Sequence, residues 1–281
     1  MGRASNTYML PESAFTSPAE LERLDKVNTA LTVFFNGKLS FAPIEDTQPR
    51  RILELGCGSG AWAIDAASNF SKAEVIAVDI NPIPPRPLPK NLTFMKLNLL
   101  KPLPFKKCSF DIIHARMVMM HLPQVEEVLQ RVFDLLRPGG YIILEDPDNE
   151  DLNDEGIPRG PVGKEHLSTI LNTLMQSLGA QPCIGRDHKK ILESSGYFDD
   201  ITVKKVCIPI TPVEEAKKGS PEAKLGHSWK ESWKTLAEAL PARYSDQGLT
   251  KDVVNTFLTT IDDPNSHIVT ALYFSWGRKK L

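Results

Sequence analysis

Arg51-Ile52-Leu53-Glu54-Leu55-Gly56-Cys57-Gly58-Ser59-Gly60-Ala61-Trp62 is the stretch that decides the fold. An apolar run of strand length ends in glycines that alternate with small residues, and an alanine-rich segment with helical spacing follows over residues 61–69. A second apolar run at 73–79 closes on Asp79, so strand, glycine loop, helix and strand make a βαβ unit. Glycines between a buried strand and a helix N-terminus let a ligand approach the backbone amides there. Asp79, about twenty residues past the loop, stands where a carboxylate accepts the hydroxyls of an adenosine ribose. Loop and acid together point to an adenosine-containing cofactor.

Working outward, Ser17-Pro18-Ala19-Glu20 predicts a helix start, with Ser17 as cap, Pro18 in the first turn and Glu20 completing a capping box. Leu21, Leu24, Leu31 and Phe34 carry the apolar face and Gly37 closes the run. Downstream of Asp79 the prolines at 82, 84, 85, 87 and 89 lack amide donors and exclude a helix, so the usual second crossover helix is expected to be missing. Strands are predicted at 92–97 and 109–115, a helix at 124–136, and a buried strand at 141–144 after Arg137-Pro138-Gly139-Gly140. A polar loop over 146–163, helices at 164–178 and 187–195, and strands at 201–210 and 268–276 complete the pattern. The excursion between the last two strands is too long for a bare loop. Leu225, Trp229, Trp233 and Leu236 share one helical face in it, and Val254, Phe257, Leu258 and Ile261 another.

The fold class that follows is α/β, a Rossmann-like doubly wound sheet of about seven strands with an antiparallel last strand. It carries an N-terminal helix and a helical lid inserted before the last strand. The expected division is 1–48, an N-terminal helical segment closing over the cofactor site; 49–210, the cofactor-binding core; 211–266, the lid; and 267–281, the terminal core strand.

Composition excludes several classes. Of 281 residues, 33 are basic and 35 acidic, a balance without the cationic excess that tracks nucleic-acid phosphates. The four cysteines show no paired spacing, so neither a metal site nor a disulfide framework is suggested, and a reducing, cytoplasmic setting is expected. No stretch approaches the roughly 20 apolar residues of a membrane span.

The loop fits both the GxGxG of S-adenosylmethionine enzymes and the looser GxGxxA of dinucleotide enzymes. Its context separates them: Glu54 before the first glycine, Leu103-Pro104-Phe105 before Phe110-Asp111, Leu136-Arg137-Pro138-Gly139-Gly140 before the fifth strand, and a terminal strand placed to insert beside it. In that order these resemble the motifs of class I S-adenosylmethionine-dependent methyltransferases over nearly the whole chain. Tyr8-Met9-Leu10-Pro11, Ala61-Trp62-Ala63-Ile64-Asp65, the proline-rich stretch, Ile113-His114-Ala115-Arg116 and Gly277-Arg278-Lys279 narrow the likeness to the fungal secondary-metabolism, LaeA-like group. That group includes small-molecule methyltransferases and a global regulator.

The resemblance implies a methyl transfer from S-adenosylmethionine to a small secondary-metabolite-like acceptor, leaving S-adenosylhomocysteine, with oxygen the first expectation for the acceptor atom and nitrogen the second. The alternatives are a regulatory protein acting through partners, and a cofactor-bound enzyme of another reaction on the same fold. Gly56, Cys57, Gly58 and Gly60 are expected to line the cofactor, Asp79 and Ile80 to flank the ribose, and Asn98 with the Leu99 backbone to read adenine. Asn98 departs from the aspartate often found there. Glu54 and the Ala115–Arg116 backbone are expected near the methionyl amino group. Trp62 either walls the cofactor or packs, and Tyr8 closes over it. His121 is a candidate base where the chain leaves the fourth strand, with Glu145 and Asp146 after the fifth as further candidates. Met119, Met120, Trp229 and Trp233 are candidates for substrate contact.

Overall fold

β1 (Arg51–Leu55) is buried beyond its first residue and runs through the middle of a seven-stranded sheet in the order β3-β2-β1-β4-β5-β7-β6. The computed structural model behind this description covers residues 17–153, 155–159, 166–214 and 218–281. β2 (Glu74–Asp79) and β3 (Leu92–Lys96) lie to one side of β1, and β4 (Phe110–Arg116) and β5 (Leu136–Leu152) to the other, all parallel. Strands covered by helices on both faces read as continuous apolar runs, which is why Ile52 to Leu55 and Val75 to Val78 show no alternation. β7 (Val269–Lys279) inserts between β5 and β6 (Phe198–Pro209), antiparallel to both.

α2 (Ala61–Asn69) follows β1, and α3 (Val125–Leu135) links β4 to β5. α3 buries Val125, Val128, Leu129, Val132 and Phe133, each such side chain worth roughly 1.5–3 kcal/mol of apolar burial. α4 (Leu167–Ser177) and α5 (His188–Ser195) cross from β5 to β6. Residues 80–91 contain no helix, as their prolines require.

Outside the sheet, α1 (Pro18–Phe34) starts where Ser17 Oγ accepts from the Glu20 amide at 3.2 Å. The other half of the expected capping box is not made: both Glu20 carboxylate oxygens accept from Arg23, at 2.6 and 2.7 Å, one turn up the helix. Between β6 and β7 come α6 (Pro221–Ala239), the short α7 (Pro241–Tyr244) and α8 (Lys251–Asp262), with Lys230 and Lys234 of α6 paired to Asp262. α6 approaches the sheet so closely that a Cβ on Gly226 would fall 1.9 Å from the Pro209 carbonyl oxygen.

One expectation fails clearly. The acidic stretch after residue 145 is strand as far as Leu152, because β7 supplies partners that its local sequence does not advertise: Asp146 pairs with Tyr273, Pro147 with Leu272 and Asp148 with Ala271. Arg186 neutralises Asp148 and Glu150 there. Among the described residues no helix is long and apolar enough to cross a membrane.

Candidate functional site

The order of the sheet reverses between β1 and β4, and at such a point the strand ends diverge to leave a crevice outside their carboxyl edges. A cavity of about 270 Å³ occupies it. Loops after β1, β2 and β3 wall one side; the segment after β4, Pro147 and Asn149 of β5, Leu171 and Met175 of α4, and α6 wall the other. α1 contributes Arg23, Leu24, Val27 and Asn28.

The glycine loop needs its glycines. Gly56 has φ +63°, and a Cβ there would sit 2.4 Å from a Val118 methyl. Gly58, Cys57 and Gly56 line the cavity, whereas Gly60, at φ +79°, stands just off the wall as the N-cap of α2. Asp79 braces the loop from below: its carboxylate accepts from the Gly58 amide at 2.9 Å and from the Asn81 amide at 2.8 Å. Burial pushes its pKa up and these amide bonds pull against that rise. Ile80, Asn98 and Leu99 lie on the same wall. The Asn98 side-chain carbonyl already accepts from the Leu100 amide at 2.9 Å, leaving its NH₂ group and a second lone pair for a ligand.

Glu54 lines the cavity floor and is 4 % exposed. Its Oε2 is buried without a hydrogen-bond partner. Burial drives its pKa up to about 8, against the opposing charge of Arg116 and with a further rise from Asp79. Behind it, His114 on β4 is fully enclosed and stacks on the Trp62 ring at 3.7 Å between centroids. The His114 ring lies 3.8 Å from Glu54 and 3.6 Å from Glu145, and burial lowers its pKa to about 4, keeping it neutral. Trp62 lines the cavity while its Nε1 donates to the Leu39 carbonyl at 3.1 Å, so the ring is both packed and on the wall.

Arg116 reaches the wall but is engaged by protein at all three nitrogens: it donates to Glu145 at 2.6 Å, to Asn28 at 2.9 Å and to the Leu39 carbonyl at 3.1 Å. Glu145 is thereby removed from the base candidates. Burial works against its ionisation, but Arg116 and then His114 outweigh that cost and hold its pKa at about 2. Asp146 is likewise off the wall, buried beneath the turn that follows β4. Ala115 is buried in the core below the cavity.

That turn carries the remaining candidates. Met117 takes a left-handed conformation, φ +54°, which breaks the strand alternation before the one-turn helix Met119–His121. As a result Met117, Met120 and His121 face the cavity, whereas Met119 is fully buried in the core. Burial lowers the His121 pKa to about 4; Asp146 raises it and Arg23 lowers it further. Trp229 and Trp233, one turn apart on α6, both line the wall. Tyr8 lies outside the described residues. Among the described residues no cluster of His, Cys, Asp and Glu is disposed to hold a metal ion.

Sequence reasoning missed the α1 side chains, Asn149, Met175 and Ser232 as wall residues. Arg23, whose Glu22-Arg23-Leu24 segment is family-like but carries no assigned role in the sequence, joins α1 to α6 by donating to Ser232 Oγ at 2.6 Å. Arg86, from the proline-rich stretch, ties α1 to the glycine loop through Asp25 and the Ser59 carbonyl, each at 3.0 Å.

A Rossmann-like sheet in this strand order, with a glycine loop, a strand-end acid and a cavity at the reversal point, defines an adenosine-cofactor enzyme of the class I methyltransferase kind. The family model described as "Methyltransferase domain" matches residues 29–179, and the chain belongs to that family as a class I S-adenosylmethionine-dependent methyltransferase. It is 39 % identical to the methyltransferase str3 of Strobilurus tenacellus, over 99 % of this chain and 100 % of that one. It is 31 % identical to the secondary metabolism regulator laeA of Aspergillus flavus, over 73 % of this chain and 54 % of the relative. In structure it is similar to phosphoethanolamine N-methyltransferase 2 of Haemonchus contortus, solved with phosphomonomethylethanolamine and S-adenosylhomocysteine, with a TM-score of 0.54 and 17 % identity over 90 % of this chain and 52 % of that one. The site fits the cofactor on its own terms: an ammonium group supplies what the unpartnered Glu54 oxygen lacks, and Gly56 and Gly58 bring backbone to the cavity wall at the start of α2.

Proposed function

We propose that this methyltransferase acts on a small, largely apolar acceptor through a hydroxyl oxygen, with His121 taking the hydroxyl proton. The carrying observation is an imidazole held neutral by burial on the same wall as Met120, Leu122, Leu171, Met175, Trp229 and Trp233. The charged groups of that wall, Arg23 and Arg116, already hold Glu20 and Glu145, which argues against a clamp for a phosphate or carboxylate. The likeness over full length to a fungal methyltransferase, and to a regulator of secondary metabolism over 73 % of this chain, supports a secondary-metabolite-like acceptor.

S-adenosylmethionine supplies an electrophilic methyl group on a sulfonium. In this reading Glu54 holds the amino end, Asp79 the ribose and Asn98 with Leu99 the adenine. α1 and α6 exclude water as a lid, and alignment of this kind can be worth roughly 7–11 kcal/mol. His121 is a weak base because its pKa is depressed, so it accepts the proton as the oxygen attacks rather than before.

The test is incubation with S-adenosylmethionine and matched phenols, alcohols, carboxylic acids and amines of one apolar framework, reading product mass and S-adenosylhomocysteine. Methylated phenol or alcohol is expected, and His121→Ala should lower its kcat by about 10²- to 10⁴-fold with cofactor affinity retained. Methylation confined to amines, or a His121→Ala variant of full activity, would overturn the reading.

A further inference from the structure

Asp146 was a candidate base, yet the structure sets it beneath the cavity wall in company that the reaction does not explain. It lies on β5, His188 opens α5 and Ser275 lies on β7, and none is more than 2 % exposed. Asp146 Oδ2 lies 3.3 Å from His188 Nε2, a close contact off the line of a hydrogen bond, and the other ring nitrogen, Nδ1, is 3.1 Å from Ser275 Oγ. The second Asp146 oxygen, Oδ1, accepts from the Met120 amide at 3.3 Å. A carboxylate enclosed this completely is costly unless it is partnered, and an apolar trio would fill the same volume more cheaply. The approach of the three elements is specific: a Cβ on Gly185, in the turn before His188, would lie 2.7 Å from the Asp146 carbonyl oxygen.

The far end of this chain is the turn that carries His121. Within Met119–His121 the internal bonds are His121 N–H to the Val118 carbonyl and Leu122 N–H to the Met119 carbonyl. Two backbone ties of Met120 lead outward, the Gln181 amide onto its carbonyl and its own amide onto Asp146. Met117, just upstream, has a backbone conformation that side chains other than glycine adopt reluctantly, so the turn does not hold its position by local preference.

We propose that Ser275, His188 and Asp146 form a buried positioning relay that fixes the Met119–His121 turn, and with it the imidazole and the Met120 side chain on the acceptor side of the cavity. With its proton on Nε2, His188 sets that edge of its ring against the Asp146 carboxylate by charge and packing, and it accepts from the Ser275 hydroxyl at Nδ1. Asp146 then presents a fixed acceptor to the Met120 amide. The three are positioning residues and touch neither cofactor nor acceptor. The proposal rests on the reading of the His121 wall as the acceptor side, but its test needs no acceptor.

The test uses the full chain saturated with S-adenosylhomocysteine and the long-range ¹H–¹⁵N spectrum of its six imidazoles, with His121 and His188 assigned by substitution. His188 is expected to carry its proton on Nε2. Asp146→Leu and His188→Leu should displace the His121 ring signals beyond their linewidth, while Asp146→Asn, which still offers an acceptor to the Met120 amide, should return them towards the wild-type position. S-adenosylhomocysteine affinity should stay within about threefold throughout, because none of the three residues lines the cavity. Should a leucine variant fail to fold, Ser275→Ala at the far end of the relay should still shift the signals of both rings. Unmoved His121 signals in the leucine variants or in Ser275→Ala, or equal displacement by Asp146→Leu and Asp146→Asn, would overturn the relay. A failure of the base assignment would show instead in the turnover of His121→Ala, leaving these spectra as expected.

Discussion

Replacing Glu54 by Gln should make the ligand-free protein more stable while weakening its hold on cofactor. Burial raises the folded-state pKa from the ordinary 4.5 to about 8. The folded chain therefore binds a proton that the unfolded chain releases, and stability falls as pH rises through that window. At about 1.4 kcal/mol per pH unit, the loss accumulated by neutral pH is on the order of 3 kcal/mol. Gln copies the shape of the protonated acid without titrating, so the variant should recover that amount, on the order of 5 °C in melting temperature. Its advantage should vanish near pH 4.5, where both forms are neutral in the fold.

The same change removes the anion that meets the methionyl ammonium. A hydrogen bond between charged groups is worth about 1.5–3 kcal/mol, so S-adenosylhomocysteine should bind roughly 10- to 100-fold more weakly. Wild-type binding at neutral pH should also release a proton, visible as a calorimetric enthalpy that depends on the ionisation enthalpy of the buffer. Scanning calorimetry across pH and isothermal titration measure both sides. A variant that melts lower at neutral pH, or binds as tightly as wild type with proton release intact, would refute the reasoning.

Gly56→Ala places a methyl 2.4 Å from Val118 in a left-handed backbone, so it should cost about 1–3 kcal/mol in urea unfolding and abolish S-adenosylhomocysteine binding by calorimetry. Asp79→Ala orphans the Gly58 and Asn81 amides, so weaker cofactor binding should come with about 1–3 kcal/mol of lost stability; a variant that melts like wild type would show that the brace is not needed. Gly226→Ala drives a Cβ into the Pro209 carbonyl and should push α6 off the sheet, read as a red shift in tryptophan emission as Trp229 and Trp233 meet water.

The βαβ unit, the glycine loop, the missing crossover helix and the amphipathic α3 were legible because local chemistry alone dictates them. A run of prolines excludes helix interior wherever it stands, and a left-handed loop residue pressed against a neighbour, as Gly56 is, favours glycine in any fold. β5 was misread past residue 145 because Asp146, Pro147 and Asp148 become strand only through partners on β7, more than a hundred residues away in sequence. Met119 turns into the core instead of the acceptor side because one left-handed residue at 117 resets the alternation, and nothing in a methionine announces that. Glu145 looked like a base from its place at a strand end, but the Arg116 guanidinium occupies it. Lys279, near the end of β7, donates to the Phe133 and Leu136 carbonyls at 2.6 and 2.8 Å and so closes the end of α3, a role that its place in the sequence does not announce. α1 was expected to cover the site, but only the fold shows that Arg23 and Arg86 fasten it to α6 and to the glycine loop.

The central claim, that the cavity where the sheet order reverses holds S-adenosylmethionine on Glu54 and the glycine loop, is tested most directly by calorimetric titration with S-adenosylhomocysteine, run beside NAD and NADP. One saturable site for S-adenosylhomocysteine, lost in Gly56→Ala and weakened in Glu54→Gln, is the expected result. Binding of a nicotinamide cofactor in its place, or S-adenosylhomocysteine binding unmoved by both substitutions, would contradict it.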